Sequence, residues 1–277
     1  MTAMIIDGRK VRSERMPKLI EKISSFSFVP MLAIIQVGGR ADSTSYIRAK
    51  KVFAMKIGVN EKHIKLPENI SQEKIIEAIE ECNKDQNIHG IIVQLPLPEY
   101  IDRNLVINSV DPKKDVDALT AVNVEKWQKG EGILPATARG VRELLDFYNI
   151  DLNEKKVTVV GRSELVGRPI ALMCQNKGAI VTICHSKTED LITETKKADI
   201  VICAVGKLGL IGAEHVKLGQ IIIDVGINRK TDGTLAGDVD FESVKNIVSA
   251  ITPVPGGVGQ MTVLALFENL ADLCSEK

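Results

Sequence analysis

The sequence is poor in aromatic residues and contains no long apolar run. Only 4% of its 277 residues are aromatic, and it has a single tryptophan. No segment approaches the roughly 18 consecutive apolar residues of a membrane-spanning helix. The N-terminal segment MTAMIIDGRK is charged and lacks the apolar stretch of a secretory signal. We therefore expect no membrane partner.

Neither sign of charge is in excess, since 36 Lys and Arg residues balance 36 Asp and Glu residues. This balance argues against nucleic acid as a partner. The five cysteines include no CxxC pair, which predicts buried, reduced thiols in a cytoplasmic protein. The four histidines are scattered without ligand spacing, so we expect no metal site and disfavour a metal hydrolase.

Short apolar runs alternate with longer amphipathic segments along the chain. Strands without polar alternation, separated by helices, indicate parallel sheets covered on both faces. The predicted fold class is therefore α/β. The predicted buried strands are 31–37, 90–95, 156–161, 179–184, 199–205 and 220–226, and the clearest helical patterns are 43–58, 71–85, 137–150 and 258–273.

A charged loop and a segment with glycine and proline interrupt this alternation around residues 111–140. We predict one domain over residues 1–135 and a second over 136–252, whose closely spaced strands are typical of a dinucleotide-binding unit. The last segment, 253–277, carries an apolar helical pattern. We expect its helix to return and pack on the first domain.

The segment KVTVVGRSELVGRP predicts a strand, a tight turn and a helix whose N-terminus faces a pyrophosphate. Gly161 matches the first glycine of GxGxxG, but Ser163 occupies the second position and Gly167 lies one residue beyond the third. A turn that serves only the backbone stays an alternative. The next strand ends in CHSK, without the acidic residue of NAD sites. Ser186 and Arg162 can instead bind a 2′-phosphate, which favours NADP.

Four polar residues upstream are candidates for a reactive site. Tyr46 and Lys50 are spaced to share one helix face, where burial would lower the lysine pKa and suit it to proton transfer; a solvated helix face is the alternative. YxxxK also suggests the short-chain dehydrogenases, but their pair lies downstream of the cofactor turn. Gln94 follows a strand at the edge where α/β sheets bind ligands. Asp117 lies in a charged loop, as a site residue, a solvated acid or a helix cap.

The segment ITPVPGGVGQMT precedes the last helix and is rich in glycine and proline. Glycine lets a backbone approach a ligand closely, and proline keeps that backbone rigid. We predict that Pro253 to Gly259 form a wall of the substrate site, with Pro255, Gly256 and Gly257 as binding residues. A tight turn without a ligand is the alternative.

The ordered motifs of the chain resemble the bifunctional methylenetetrahydrofolate dehydrogenase/cyclohydrolase family over nearly its whole length. The motifs are VGGRADSTSYIRAKK, GIIVQLPLP, KKDVDAL, VVGRSELVGRP, TICHSKT, IDVGIN, GDVDF and TPVPGGVGQMT. The resemblance implies that residues 1–135, completed by 253–277, form a folate-binding catalytic domain and that 136–252 form a Rossmann-type NADP domain. It also implies a homodimer, for which the apolar strand 179–184 at a possible sheet edge is further support.

The resemblance implies two reactions on tetrahydrofolate derivatives. The first is NADP-dependent oxidation of 5,10-methylenetetrahydrofolate to 5,10-methenyltetrahydrofolate, and the second is hydrolysis to 10-formyltetrahydrofolate. A dehydrogenase without hydrolase activity and a non-catalytic NADP-binding protein are the alternatives. The residues that match the family's folate pocket are Tyr46, Lys50, Gln94 and Asp117, of which the first three are candidate catalytic residues. The residues that match its NADP site are Gly161, Arg162, Ser163, Ser186 and Ile227.

The sequence departs from the family pattern at a few positions. Ala118 and Leu119 replace the usual glycine and a frequent aromatic residue, and Gln260 replaces a proline. The segment PATARG replaces the usual PCTPRG. These departures concern the shape of the pocket rather than the proton-handling residues.

Overall fold

The computed structural model describes residues 2–275, except for the side chains of residues 41 and 42, and confirms the α/β class. The strands in this part of the chain are β1 (Met4–Ile5), β2 (Met31–Val37), β3 (Asn60–Leu66), β4 (Gly90–Val93), β5 (Lys156–Val160), β6 (Ile180–Cys184), β7 (Ile200–Cys203), β8 (Ile221–Asp224), β9 (Asn228–Arg229), β10 (Leu235–Ala236) and β11 (Ala250–Ile251). The helices are α1 (Gly8–Ser24), α2 (Ala41–Ile57), α3 (Gln72–Lys84), α4 (Arg103–Asn108), α5 (Ala121–Gln128), α6 (Ala136–Phe147), α7 (Gly167–Asn176), α8 (Leu191–Lys197), α9 (Phe241–Val244) and α10 (Val258–Ser275), with a 3₁₀ turn at Ala213–His215.

The chain divides into two compact units. One contains residues 14–136 and 263–275, and the other contains residues 2–13 and 137–262. We call them the N-terminal unit and the nucleotide unit. They differ from the predicted domains at the chain ends, because residues 2–13 group with the nucleotide unit and the return to the N-terminal unit begins at residue 263. The functional assignment of the two domains stays a prediction.

The N-terminal unit is built around a three-stranded parallel sheet with the order β3-β2-β4. Its central strand β2 is almost entirely buried, in agreement with its continuous apolar sequence. The strands β2 and β4 and the helices α3 and α4 bury apolar side chains in one common core. Because all three strands are parallel, their carboxyl ends lie at one edge of the sheet.

Helix α10 returns to the N-terminal unit, as predicted. The side-chain amide of Asn269 is fully buried and donates to the carbonyl oxygens of Val116 and Leu134, at 2.8 and 2.9 Å. Buried carbonyl groups require such donors. The loop that contains residue 116 is thereby held to the last helix.

The nucleotide unit contains a six-stranded sheet with the order β1-β11-β8-β7-β5-β6, and every neighbouring pair in it is parallel. From β5 the chain goes first to β6 on one side and then to β7 on the other. This reversal is the topological switch point of a doubly wound Rossmann-type sheet, and ligands bind at the carboxyl ends of the strands beside it. The fold therefore places the loops after β5 and β7 at the expected nucleotide site.

Two of the longer strands differ from the sequence expectation, and the two-residue strands β1, β9, β10 and β11 were not predicted. Strand β3 (NEKHIKL) was not predicted, because an edge strand with one solvated face carries polar and charged residues. The expectation that segment 179–184 is buried is wrong for most of its side chains, because β6 is the outer strand of its sheet and is largely exposed. The other predicted strands are present: β2 has the expected bounds, β4 and β5 end one or two residues early, and β7 and β8 are shorter by one residue at the amino end and two at the carboxyl end.

Candidate active site

Lys50 and Gln94 meet at the carboxyl edge of the N-terminal sheet. Gln94 follows β4, and its backbone N–H donates to the carbonyl of Ile35 at 2.8 Å, which extends the β2–β4 pairing. Its side-chain N–H donates to the carbonyl of Leu95 at 2.8 Å, and its Oε1 accepts a hydrogen bond from Lys50 Nζ at 2.9 Å. The bond to Leu95 thus fixes the orientation of the Gln94 amide, and that amide holds the lysine amine.

The third member of this group is Asp117. Burial lowers the pKa of Lys50, and the charge of Asp117 opposes that shift. Burial also raises the pKa of Asp117 to about 6, while the charge of Lys50 opposes the rise and that of Asp115 adds to it. The structure therefore brings together three of the predicted residues, Lys50, Gln94 and Asp117, in one partly buried group. Two titratable groups with shifted pKa values in one place are typical of a reactive site.

The loop that carries Asp117 is held by residues that the sequence patterns did not mark. Asp115 is buried, and its Oδ2 accepts the backbone N–H of Thr120 at 2.8 Å and the side-chain N–H of Asn123 at 3.0 Å. Lys114 is also buried, and its ammonium donates to three carbonyl oxygens around the end of α3. The charged run KKDVD therefore contains two residues that hold the loop in place, Lys114 and Asp115, as well as the candidate site residue Asp117.

Ala118 has an unusual backbone conformation for its residue type. Its φ is 55°, in the left-handed region that costs a non-glycine residue roughly 1–2 kcal/mol. Trp127 Nε1 donates to its carbonyl oxygen at 3.0 Å. Glycine adopts this conformation freely, which explains physically why the family pattern has glycine here. In this chain the loop next to Asp117 accommodates a buried methyl group instead.

Tyr46 lies one helical turn before Lys50 on α2, and 45% of its side chain is exposed. The common helix face predicted for Tyr46 and Lys50 follows from the helix observed over Ala41–Ile57. An exposed phenol ring next to a reactive group is available to contact a substrate ring. Its catalytic and binding roles stay predictions.

We call the carboxyl edge of the six-stranded sheet the nucleotide edge. Two glycines there allow the turn after β5 to be compact. Gly161 has a φ of 124°, and a side chain there would collide with the carbonyl oxygen of Ala204, which follows β7. Gly167 begins α7, and a side chain there would collide with the carbonyl oxygen of Gly161. Ser163 Oγ accepts the backbone N–H of Gly167 at 3.3 Å. The backbone after β5 therefore passes close to the backbone after β7 at the switch point. A tight turn of this kind is what the first glycine of a dinucleotide site provides.

The predicted phosphate-binding residues are accessible. Arg162 and Ser186 are both exposed. Ser186 lies in a tight turn after β6, where the N–H of Thr188 donates to the carbonyl of His185 at 2.8 Å. Ile227, after β8, is 42% exposed. These residues lie after β5, β6 and β8 of one parallel sheet, so their backbone positions fall at the same sheet edge.

These features fit the NADP that the fold implies. The compact turn after β5 leaves the N-terminal end of α7 close to the sheet edge, where a pyrophosphate is favourable. An exposed guanidinium and an exposed hydroxyl are suitable partners for a 2′-phosphate. The individual assignments of Gly161, Arg162, Ser163, Ser186 and Ile227 stay predictions.

The segment from Pro253 to Gly259, which we call the proline-glycine bend, has a contact that the sequence did not reveal. The N–H of Gly8 donates to the carbonyl of Gly256 at 2.9 Å, and a side chain at Gly8 would collide with the carbonyl of Gly257. Gly256 and Gly257 are buried, whereas Pro255 is exposed. The N-terminal segment thus packs against Gly256 and Gly257, two of the positions where we expected a ligand to approach. Substrate binding by Pro255, Gly256 and Gly257 stays a prediction.

The described part of the chain has neither a metal-binding cluster nor a membrane-spanning helix. Among the described side chains, which leave out those of residues 41 and 42, no group of three or more His, Cys, Asp or Glu residues is arranged to hold a metal ion. Over the same residues, no helix has both the length and the apolar character needed to cross a membrane.

Comparison with known families identifies both halves of the chain. Residues 6–117 match the tetrahydrofolate dehydrogenase/cyclohydrolase catalytic domain, and residues 135–277 match the NAD(P)-binding domain of the same enzymes. The chain belongs to the tetrahydrofolate dehydrogenase/cyclohydrolase family. This membership confirms the resemblance seen in the sequence motifs.

Full-length relatives of the family are similar in sequence and in structure. The bifunctional protein FolD of Bacillus subtilis is 44% identical over 97% of this chain and 96% of its own. The crystal structure of the bifunctional dehydrogenase/cyclohydrolase FolD from Campylobacter jejuni is 40% identical, covers 99% of both chains and has a TM-score of 0.97. The Trypanosoma brucei enzyme, solved with NADP and an inhibitor, is 35% identical over 100% of this chain and 98% of its own, with a TM-score of 0.95.

The proximity of Lys50 and Asp117 has a measurable consequence. In Asp117→Asn, the pKa of Lys50 should fall below its wild-type value, because the negative charge that raises it is lost and burial remains. The amine of the variant therefore loses its proton at a lower pH. NMR titration of protein with ¹³C-labelled lysine measures this shift, and Lys50→Met identifies the Lys50 signal. Asp111→Asn is the matched control, and an unchanged Lys50 pKa in Asp117→Asn would contradict the proposed pairing.

Proposed function

We propose that this chain is a bifunctional folate enzyme. It oxidises 5,10-methylenetetrahydrofolate to 5,10-methenyltetrahydrofolate with NADP⁺, and it hydrolyses the methenyl compound to 10-formyltetrahydrofolate. The observation that carries this proposal is the partly buried group of Lys50, Gln94 and Asp117 in a chain of this family.

Hydrolysis requires proton transfer, and Lys50 is the candidate to perform it. Water attacks the methenyl carbon and loses a proton as its C–O bond forms. The bond from this carbon to one folate nitrogen then breaks, that nitrogen takes up a proton, and the hydroxyl releases its remaining proton as the formyl C=O forms. A buried amine with a lowered pKa can accept the first proton and donate the second. Gln94 Oε1, at 2.9 Å from Nζ, keeps the amine in place through both steps.

The oxidation makes a different demand on the protein. Bound NADP⁺ supplies the hydride acceptor. The lone pairs of the folate nitrogens stabilise the cation that forms on the methylene carbon, so positioning matters more than a strong base. In our proposal Gly161, Ser163 and Ile227 bind the cofactor through backbone and apolar contacts, and Arg162 and Ser186 bind its 2′-phosphate.

The remaining site residues bind the substrate in this proposal. Asp117 accepts hydrogen bonds from the amino and N–H edge of the pterin, a role that requires its ionised form. Because its pKa is about 6, this form predominates at neutral pH. Tyr46 contacts the aminobenzoyl ring with its exposed face. Pro255, next to the buried Gly256 and Gly257, offers a rigid apolar surface.

The central test is the Lys50→Met variant. Wild-type protein should hydrolyse methenyltetrahydrofolate in the absence of nucleotide, and Lys50→Met should lose this activity by about a hundredfold or more, because general acid–base catalysis typically contributes that much. The loss of methenyl absorbance measures the rate. The variant should still fold and bind NADP⁺.

Lys56→Met is the matched control, since this exposed lysine lies on the same helix. It should hydrolyse at the wild-type rate. Wild-type turnover in Lys50→Met would remove Lys50 from its role. A wild-type protein that oxidises methylenetetrahydrofolate but does not hydrolyse the methenyl compound would be a dehydrogenase alone.

Cofactor preference tests the role of Arg162. Wild type should use NADP⁺ better than NAD⁺. Arg162→Ala should lower kcat/KM for NADP⁺ by about tenfold to a hundredfold and leave NAD⁺ almost unaffected, because it removes a charge-assisted contact to the 2′-phosphate. Steady-state rates with both nucleotides measure the effect. The control is Lys177→Ala, which removes a positive charge next to the C-terminal end of α7. A wild-type preference for NAD⁺ would overturn the proposal.

We also propose that the chain forms a homodimer through strand β6. This strand is the outer strand of its sheet, and Ile180 and Ile183 are 61% and 40% exposed. An outer strand offers unpaired backbone groups, and exposed apolar side chains add a reason for pairing. A second copy of the strand, related by a twofold axis, meets both requirements with an identical surface.

Charge on this surface should separate the copies. Ile180→Asp combined with Ile183→Asp should convert a dimer to a monomer, because two like charges would be buried in each half of a symmetric interface. Sedimentation velocity measures the mass. Leu218→Asp is the control, since this residue is 79% exposed in the same unit. A monomeric wild type, or a dimer that resists both charges, would exclude this interface.

The setting that we propose is the cytoplasm, in one-carbon metabolism that supplies formyl groups for purine biosynthesis. The five cysteines are buried and are not joined in disulfides, in agreement with a reducing compartment.

A further inference from the structure

A single buried carboxylate connects the loops at the nucleotide edge. Asp238 is fully buried, and its Oδ2 accepts the backbone N–H groups of Val205 and Gly206 at 2.7 and 3.0 Å. Its Oδ1 accepts the backbone N–H of Lys207 at 2.8 Å and the side-chain N–H of Asn228 at 3.0 Å. Three consecutive backbone donors and one amide thus share one carboxylate. The loop over 205–207 has its shape fixed by this one side chain.

This loop lies at the switch point of the sheet. It follows β7, and β7 pairs with β5. Directly before it, the carbonyl of Ala204 lies so close to Gly161 that no side chain fits there. The position of the loop therefore also limits the position of the turn after β5. Loops at this point of a doubly wound sheet contact the nucleotide.

Asp238 also determines the conformation of the segment after β8. A side chain at Gly226 would collide with the Asp238 carboxylate, and Asn228 donates to that carboxylate. Ile227, a proposed NADP-binding residue, lies between these two contacts. The segment over 226–228 is thus held against Asp238 on both sides of Ile227.

A second buried carboxylate holds Asp238 itself. Asp224, at the end of β8, accepts the backbone N–H of Asp238 at 3.0 Å and that of Val239 at 2.9 Å. A side chain at Gly237 would collide with the Asp224 carboxylate. Burial raises the pKa of Asp224 to about 7, and the charge of Asp238 adds to the rise. These two buried carboxylates are tolerated because each accepts hydrogen bonds from several backbone N–H groups.

We propose that Asp238 is a positioning residue for the cofactor. It holds the loop 205–207 and the segment 226–228 in the arrangement that binds NADP, and it acts through them without contacting the nucleotide itself. The inference rests on the proposed use of NADP. It assigns a function to the motif GDVDF (residues 237–241), which contains none of the predicted site residues.

The physical test is to replace one carboxylate oxygen by an amide nitrogen. In Asp238→Asn, the Nδ2 group would face backbone N–H donors, so at least one of them loses its acceptor inside the protein. Dissociation constants for NADP⁺ are measured by calorimetry well below the melting temperature. We expect the dissociation constant of Asp238→Asn to rise by about tenfold or more, which corresponds to the loss of one such contact.

The control separates positioning from stability. Leu152→Ala removes a buried side chain before the amino end of β5, at the opposite end of this strand from the cofactor edge. It should lower the melting temperature and leave the NADP⁺ dissociation constant unchanged. An Asp238→Asn protein with a dissociation constant within about twofold of wild type would overturn the proposal.

A milder variant covers the case in which Asp238→Asn does not fold. Asn228→Ala removes one of the four donors and leaves the charge in place, so the dissociation constant should rise by a few-fold. An unchanged constant would overturn the proposal in that case.

Steady-state kinetics provide a second readout. In either variant the KM for NADP⁺ should rise, while hydrolysis of methenyltetrahydrofolate without nucleotide should continue at the wild-type rate. Loss of hydrolysis together with NADP⁺ affinity would indicate general misfolding and would contradict a positioning role. A wild-type protein that does not bind NADP⁺ would refute the proposed function instead, so the two failures are distinguishable.

Discussion

The structure depends on one recurrent interaction, in which a buried carboxylate accepts the backbone N–H groups that a parallel sheet leaves at its carboxyl edge. Strands end there together, so their loops contain donors that no neighbouring strand satisfies. Asp115 meets this need in the N-terminal unit, and Asp224 and Asp238 meet it in the nucleotide unit. A carboxylate suits the task because it accepts several bonds and donates none. Asp117 and Ile227 lie in segments whose shapes these interactions help to determine.

The pKa of Lys50, and with it the proton transfer that we propose for this residue, depends on a balance between burial and charge. Burial favours the neutral amine, whereas the charge of Asp117 favours the ammonium form. Neither effect alone would suit a group that both accepts and donates a proton, because efficient proton transfer requires a pKa near the working pH. Gln94 contributes a neutral acceptor that holds the amine without adding charge. A carboxylate in its place would favour the ammonium form and oppose the effect of burial.

The sequence was informative where a local pattern has a local cause. Strands β2, β5 and β8 were predictable because both of their faces are buried, so their residues are almost all apolar. Strand β3 was not predictable from the same pattern, since an edge position removes that requirement. Lys50 and Gln94, which share a hydrogen bond in the structure, became candidates through helix spacing and strand ends. Asp238 was not, because its partners in the loop after β7 are backbone groups more than 30 residues away in the chain, and no side-chain pattern marks them.

The proline-glycine bend shows why a glycine in a sequence does not by itself indicate a ligand. The composition of the bend led us to expect that its missing side chains make room for a substrate. In the structure, Gly8 packs against Gly256 and Gly257, and its own lack of a side chain is needed for that contact. The close approach is therefore between two segments of the same chain, and it ties the N-terminal residues to the start of the last helix. A substrate that uses this bend would meet the exposed ring of Pro255 or the exposed Gly259 rather than the buried Gly256 and Gly257.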